Sequence, residues 1–145
     1  MHMTHVQQQG RAFVIAALVG LMMAGTPALG WAQSAAPSDS LVQRRLNRAF
    51  AEGDARALLD PAPDRLAVSL FGARSFYSKA QAVYVLRDFF KDYPPQRFEV
   101  RTVSRAPSSH LLVGRYWHAE ARRPLSVYLH LRYRDQWWLE EVRIE

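Results

Sequence analysis

Apolar and polar positions follow two periods along this chain, and each change of period marks an element. Leu41, Val42, Leu46, Ala49 and Phe50 recur at helical spacing, while Arg44, Arg45, Arg48 and Glu52 take the opposite face. Ser40, with Gln43 three residues on, has the pattern of a capping box for this helix. Gly53 predicts its end, and Asp54 is placed to cap a second, short helix in "ARALLD" that Pro61 stops. "RLAVSLFG" (65–72) then alternates as a half-buried strand, Gly72 marks a bend, and "RSFY" reads as a short returning strand. Ser78 and Gln81 form a second capping-box pair, opening a helix with an apolar stripe of Ala82, Val85, Leu86, Phe89, Phe90 and Tyr93. Pro94-Pro95 ends that helix.

The remainder reads as four strands, "RFEVRTVS" (97–104), "HLLVGRYWHAEA" (110–121), "LSVYLHLRYR" (125–134) and "QWWLEEVRIE" (136–145). In the first, alternation puts Phe98, Val100 and Thr102 on one face. For the last pair, a two-residue turn at Asp135-Gln136 sets Tyr133 opposite Trp138, Leu131 opposite Glu140, Leu129 opposite Val142 and Val127 opposite Ile144. This register gathers the apolar residues on one side and places His130 across from Glu141 on the other. It predicts Trp138 and Glu140 inside and Trp137 outside.

Composition changes the picture mainly at the N-terminus. Residues 12–25, "AFVIAALVGLMMAG", have the length of a signal peptide rather than a bilayer span, and Arg11 precedes them. Small residues at Gly30 and Ala32 predict cleavage after Ala32, with Ala28-Leu29-Gly30 as a second site and a retained anchor as the alternative. The expected organisation is a signal peptide at 1–32, a linker at 33–39 and one domain at 40–145, exported to the periplasm or medium. Eighteen basic residues, sixteen of them Arg, face thirteen acidic ones after the cleavage point, leaving a net charge of +5. Such an excess suits acidic partners or an anionic surface; export argues against nucleic acid. The chain has no Cys, which excludes disulfides, thiolate metal sites and a lipoprotein anchor.

The order helix, helix, strand, helix, four strands resembles the nuclear-transport-factor-two-like superfamily. "AFAEGDARALLD" (49–60) is similar to the helix pair of that family, and "FYSKAQAVYVLRDFF" (76–90) with the terminal "EEVRIE" resembles a group of exported bacterial domains of unknown function within it. The resemblance implies an α+β cone, in which a strongly curved antiparallel sheet wraps around three helices. It does not fix a function, because this fold hosts isomerases, dehydratases, binding modules and assembly domains.

Candidate chemistry is sparse. His110, His118 and His130 have no metal-ligand spacing, no Gly-x-Ser-x-Gly elbow is present, and neither metal nor cofactor is expected. Enzymes of the superfamily resembled use a carboxylate, Tyr or His in an apolar cavity, where burial raises a carboxylate's pKa. Glu140 is the first candidate for that catalytic role, and Phe89, Tyr116, His118 and Trp138 are the candidates to line a pocket with it. Tyr128, His130, Arg132, Trp137 and Arg143 form a candidate interface on the opposite sheet face, where aromatic and Arg side chains together have the composition of an interaction surface. Sheet-to-sheet dimers of the superfamily make a homodimer the expected partner there. Two functions follow: a non-catalytic binding or assembly module, using the pocket or the outer face, and alternatively a small acid–base enzyme of isomerase or dehydratase type acting on an apolar molecule.

Overall fold

The structure, a computed structural model, describes residues 37–145; the expected signal peptide, its cleavage site and most of the expected linker lie outside them. Helix α1 runs Pro37–Glu52, α2 Ala55–Leu58 and α3 Lys79–Asp92. Six strands complete the domain: β1 Arg65–Leu70, β2 Ala73–Ser78, β3 Pro95–Ala106, β4 Ser109–His118, β5 Leu125–Tyr133 and β6 Trp137–Ile144. Helix α1 begins three residues before Ser40, so Ser40 is a helical residue and not its cap.

The α1–α2 corner closes as its residues predict. Gly53 adopts φ +67°, where a side chain would be strained. Its N–H bonds to the Phe50 carbonyl at 3.3 Å, and the Asp54 N–H bonds to the Ala49 carbonyl at 2.9 Å. That pair of bonds satisfies carbonyls the helix end would leave open. The Asp54 carboxylate then accepts the Ala57 N–H at 2.9 Å and starts α2. At α3 both arms of the capping box are made between Ser78 and Gln81.

The strands form one open, curved sheet in the order β2-β1-β6-β5-β4-β3. All neighbours are antiparallel except β1 and β6, which run parallel, with Val68 beside Val142 and Leu70 beside Ile144. The sheet is therefore mixed at that one seam. Its concave face covers the helices: Leu46 and Phe50 of α1, Leu58 of α2, and Ala82, Leu86, Phe89 and Phe90 of α3 are buried against Leu112, Tyr116, Leu129, Leu131, Val142 and Ile144. The result is the expected cone-shaped α+β fold.

Three register shifts interrupt the period-two pattern, one near the start of β3 between Pro95 and Arg97 and two that move side chains between faces further along the sheet. In β3 the register shifts between Val100 and Thr102, so Val103 pairs with buried Leu112 and Thr102 pairs with Val113 on the outer face. Thr102 thus leaves the face of Phe98 and Val100, contrary to simple alternation. In β6 the expected register holds from Val127↔Ile144 to His130↔Glu141, then shifts by one residue. Leu131 pairs with Leu139 and Tyr133 with Trp137, closing a three-residue loop in place of the expected two. Trp137 and Leu139 therefore enter the core, and Trp138 and Glu140 turn outward.

Candidate functional site

The residues expected to line a pocket divide between the two faces. Phe89 and Tyr116 lie in the core, and His118 stands at its edge, half-buried and edge-on to Tyr93 with ring centroids 5.1 Å apart. Trp138 and Glu140 are on the other side of the sheet, so the predicted set does not converge. The reason is electrostatic. An inward Glu140 would bury a carboxylate among apolar side chains, at a cost of several kcal/mol. The bulge places it outside, where one oxygen accepts from Arg132 at 2.9 Å and the other from Arg134 at 2.7 Å. A carboxylate held by two guanidiniums at the surface lacks the apolar enclosure that general acid–base work in a cone requires.

The cone interior is occupied by interlocking rings. Phe50 stacks on Phe98 with centroids 4.6 Å apart, and meets Phe90 edge-on at 5.8 Å and Tyr116 at 6.2 Å. Tyr116 also touches Phe89 at 5.5 Å and Phe90 at 6.1 Å. Its hydroxyl donates to the backbone carbonyl of Tyr93, and burial pushes its ionisation well above the ordinary tyrosine range. Tyr116 thus ties β4 to the C-terminal end of α3 through its hydroxyl. At the end of the cone, the loop Phe71-Gly72 has both residues left-handed, φ 51° and 87°. A phenylalanine in that conformation is strained. Its half-exposed ring lies 5.3 Å from Tyr93 and 6.3 Å from Phe89, covering the rings beneath.

The outer face brings together four of the five predicted interface residues. Tyr128, His130, Arg132 and Arg143 share it; Trp137 does not, being buried and stacked on His110 at 4.0 Å. Trp138 takes the outward position instead, its indole N–H donating to Asp135 at 2.9 Å. That bond is the leading cause holding the Asp135 carboxyl below its ordinary pKa. Guanidiniums lie over exposed or half-exposed rings across the sheet: Arg143 over Tyr128 at 4.1 Å, Arg97 over Trp117 at 4.7 Å and Arg74 over Phe76 at 4.8 Å. The same arginines meet carboxylates: Arg74 contacts Glu141 at 3.2 Å, Arg97 contacts Glu99, and Arg143 approaches Glu145 at 4.0 Å. His118 and His130 occupy opposite faces and cannot share a ligand.

Trp117 and Phe76 belong to this face, although the predicted interface lacks them. Alternation in β4 with Tyr116 inward already turns Trp117 outward, and pairing Phe76 with Ala67 adds it from the edge strand. The exchange of Trp137 for Trp138 also had a signal. Trp137 and Leu139 share one period-two phase and Val142 and Ile144 the other, so the phase breaks at Glu140-Glu141.

A curved six-stranded sheet closed over three helices, with a filled interior and a ring-and-guanidinium outer face, defines a domain with the nuclear-transport-factor-two-like fold. Residues 43–145 match the family model described as "Domain of unknown function (DUF4783)", and the chain belongs to that family. Among similar solved structures, a DUF4783 family protein from Bacteroides ovatus ATCC 8483 is 19% identical, with a TM-score of 0.64 over 69% of this chain and 90% of that one. Another from Bacteroides uniformis ATCC 8492 is 18% identical, with a TM-score of 0.65 over 70% and 94%. An NTF-2 like protein of unknown function from Silicibacter pomeroyi DSS-3 is 13% identical, with a TM-score of 0.54 over 74% and 92%. At these identities the likeness shows the fold. No curated protein matches the chain.

Proposed function

We propose that this domain is a non-catalytic binding or assembly module, exported after cleavage following Ala32, whose working surface is the outer face of the sheet. Its first partner is a second copy of the chain, sheet against sheet. The observation that carries this reading is the alternation of rings and guanidiniums across β2 to β6, with each guanidinium also near a carboxylate. Such a face sets six guanidiniums against four carboxylates, which tempers like-charge repulsion with its own two-fold image, and presents flat aromatic area. The interior favours the same reading, because rings occupy the space where a ligand would sit.

Sedimentation velocity on the full-length chain over a range of concentrations tests it. The unmodified chain should sediment as a dimer at micromolar concentration. Tyr128→Ala and Arg143→Glu should each weaken association by about tenfold or more, as expected of anchors near the centre of an interface. The circular dichroism of both variants should be unchanged. A chain that stays monomeric to near-millimolar concentration, or variants that associate as tightly as the parent, would remove the outer face as the working surface.

A further inference from the structure

The arginines of the helical layer differ from those of the sheet. Six arginines of the sheet and its β5–β6 loop, at positions 74, 97, 101, 132, 134 and 143, each lie within 4.0 Å of a glutamate. On the other side of the molecule, α1 and α2 enclose an open groove of about 690 Å³, whose walls carry Arg44, Arg45, Arg48 and Arg56. There Arg45 alone approaches a carboxylate, Asp60, at 3.9 Å. Among the described residues, Arg44, Arg48 and Arg56 pair with none, and Glu52, which also lines the groove, is in ion-pair range of none of the four.

This arrangement works against the helix that holds it. Arg44 and Arg48 are four residues apart on α1, so like charges face each other across one turn, which destabilises a helix. The four guanidiniums outnumber the two lining carboxylates, and the floor between them is apolar: Leu41, which is 41% exposed, with Ala49 and Ala57. Guanidinium forks match carboxylates in a bidentate geometry, and an apolar floor between them suits alternate uncharged side chains.

We infer that the α1–α2 groove is a docking site for an acidic peptide segment of a partner protein, with carboxylates on Arg44, Arg48 and Arg56 and an apolar residue over Leu41 and Ala57. The concavity favours a peptide over a lipid surface: a planar headgroup layer reaches the rim, whereas a chain can lie along the floor. The volume is in the range of roughly 300–1,000 Å³ typical of sites that enclose a ligand. This site is separate from the sheet face, so a monomeric chain would sink the dimer and leave the groove untouched.

The test is fluorescence anisotropy on the full-length chain with a labelled peptide of alternating Glu and Leu. A Gln-for-Glu peptide and phosphatidylglycerol vesicles serve as comparison probes. The Glu/Leu peptide should bind, more weakly as salt rises, and the Gln peptide should not. The double variant Arg44→Glu/Arg48→Glu should weaken binding by at least about tenfold. Arg122→Glu/Arg123→Glu, an equal charge change on the exposed 119–124 connection, should leave it within about twofold. Arg44→Gln/Arg48→Gln, which removes a repulsion and keeps the helix, should also lose binding. Equal losses in the two Glu double variants would reduce the effect to net charge and overturn the site. So would binding of the Gln peptide, or capture by vesicles without binding of the Glu/Leu peptide.

Discussion

Gly114→Ala is the sharpest test of a filled cone. Gly114 sits on the inner face of β4 opposite Val100, with the Phe98 ring lying over its Cα. An added Cβ would stand 2.5 Å from Phe98 Cζ, 2.6 Å from Cε2 and 3.0 Å from the Glu99 carbonyl oxygen. To reach ordinary contact the ring must retreat by about 1 Å. It is stacked on Phe50 at 4.6 Å, and Phe50 is itself held by Phe90 and Tyr116. Overpacking of this kind costs about 1–3 kcal/mol. Alanine returns about 0.4–1 kcal/mol by restricting the unfolded chain. The net expectation is a destabilisation of about 1–2 kcal/mol, read as a lower urea midpoint at unchanged slope. The companion variant Phe98→Leu removes the offending ring atoms. In the double variant the alanine should then cost little, giving a coupling of about 1 kcal/mol or more between two sites in contact. If Gly114→Ala is neutral or stabilising in the parent, the ring does not rest on that glycine. The interior would then be looser than described, and a ligand pocket in the cone would return to consideration.

Ser78→Ala should destabilise by about 1 kcal/mol through loss of the side-chain arm of the α3 capping box, measured by the same urea titration; no change would mean the cap is made without the hydroxyl. Trp137→Phe should cost no more than about 1 kcal/mol, because it also removes a buried indole N–H that has no partner among the described residues. Trp137→Ala should cost about 3–5 kcal/mol. Equal losses in the two would show that the indole N–H is bonded after all. The Asp135 carboxyl, held down chiefly by the Trp138 indole, should titrate below the ordinary aspartate value. Because its folded pKa is depressed, its contribution to stability is present above the unfolded pKa and is lost as pH falls through the folded value. The Trp138 indole proton shift should report that midpoint, and a midpoint at or above the ordinary value would refute the bond.

What was legible in the sequence follows from how local each signal is. The Gly53-Asp54 corner and the Ser78-Gln81 capping box depend on residues within one turn of each other, and both form as their residue types demand. The apolar stripe of α3 faces the sheet for the same reason: its buried members are Ala82, Leu86, Phe89 and Phe90. The parallel β1–β6 seam could not be read from either strand, since it joins segments over seventy residues apart and leaves no mark on their alternation.

The bulge in β6 lies between these cases, and the assignment of both faces turns on it. Unbroken period-two pairing from Ile144 inward forces Glu140 and Trp138 into the core, at the cost of a buried carboxylate. One extra residue opposite His130 removes that cost and keeps four apolar side chains inside: Trp137, Leu139, Val142 and Ile144. The loop lengthens from two residues to three, a common hairpin geometry. One irregularity in the ladder therefore costs less than one unpaired carboxylate in the core. The same shift turns Glu140 from a candidate acid into the partner of Arg132 and Arg134, and replaces Trp137 by Trp138 on the outer face. It thereby moves the aromatic and ionic groups of this strand from the expected pocket to the outer face of the sheet.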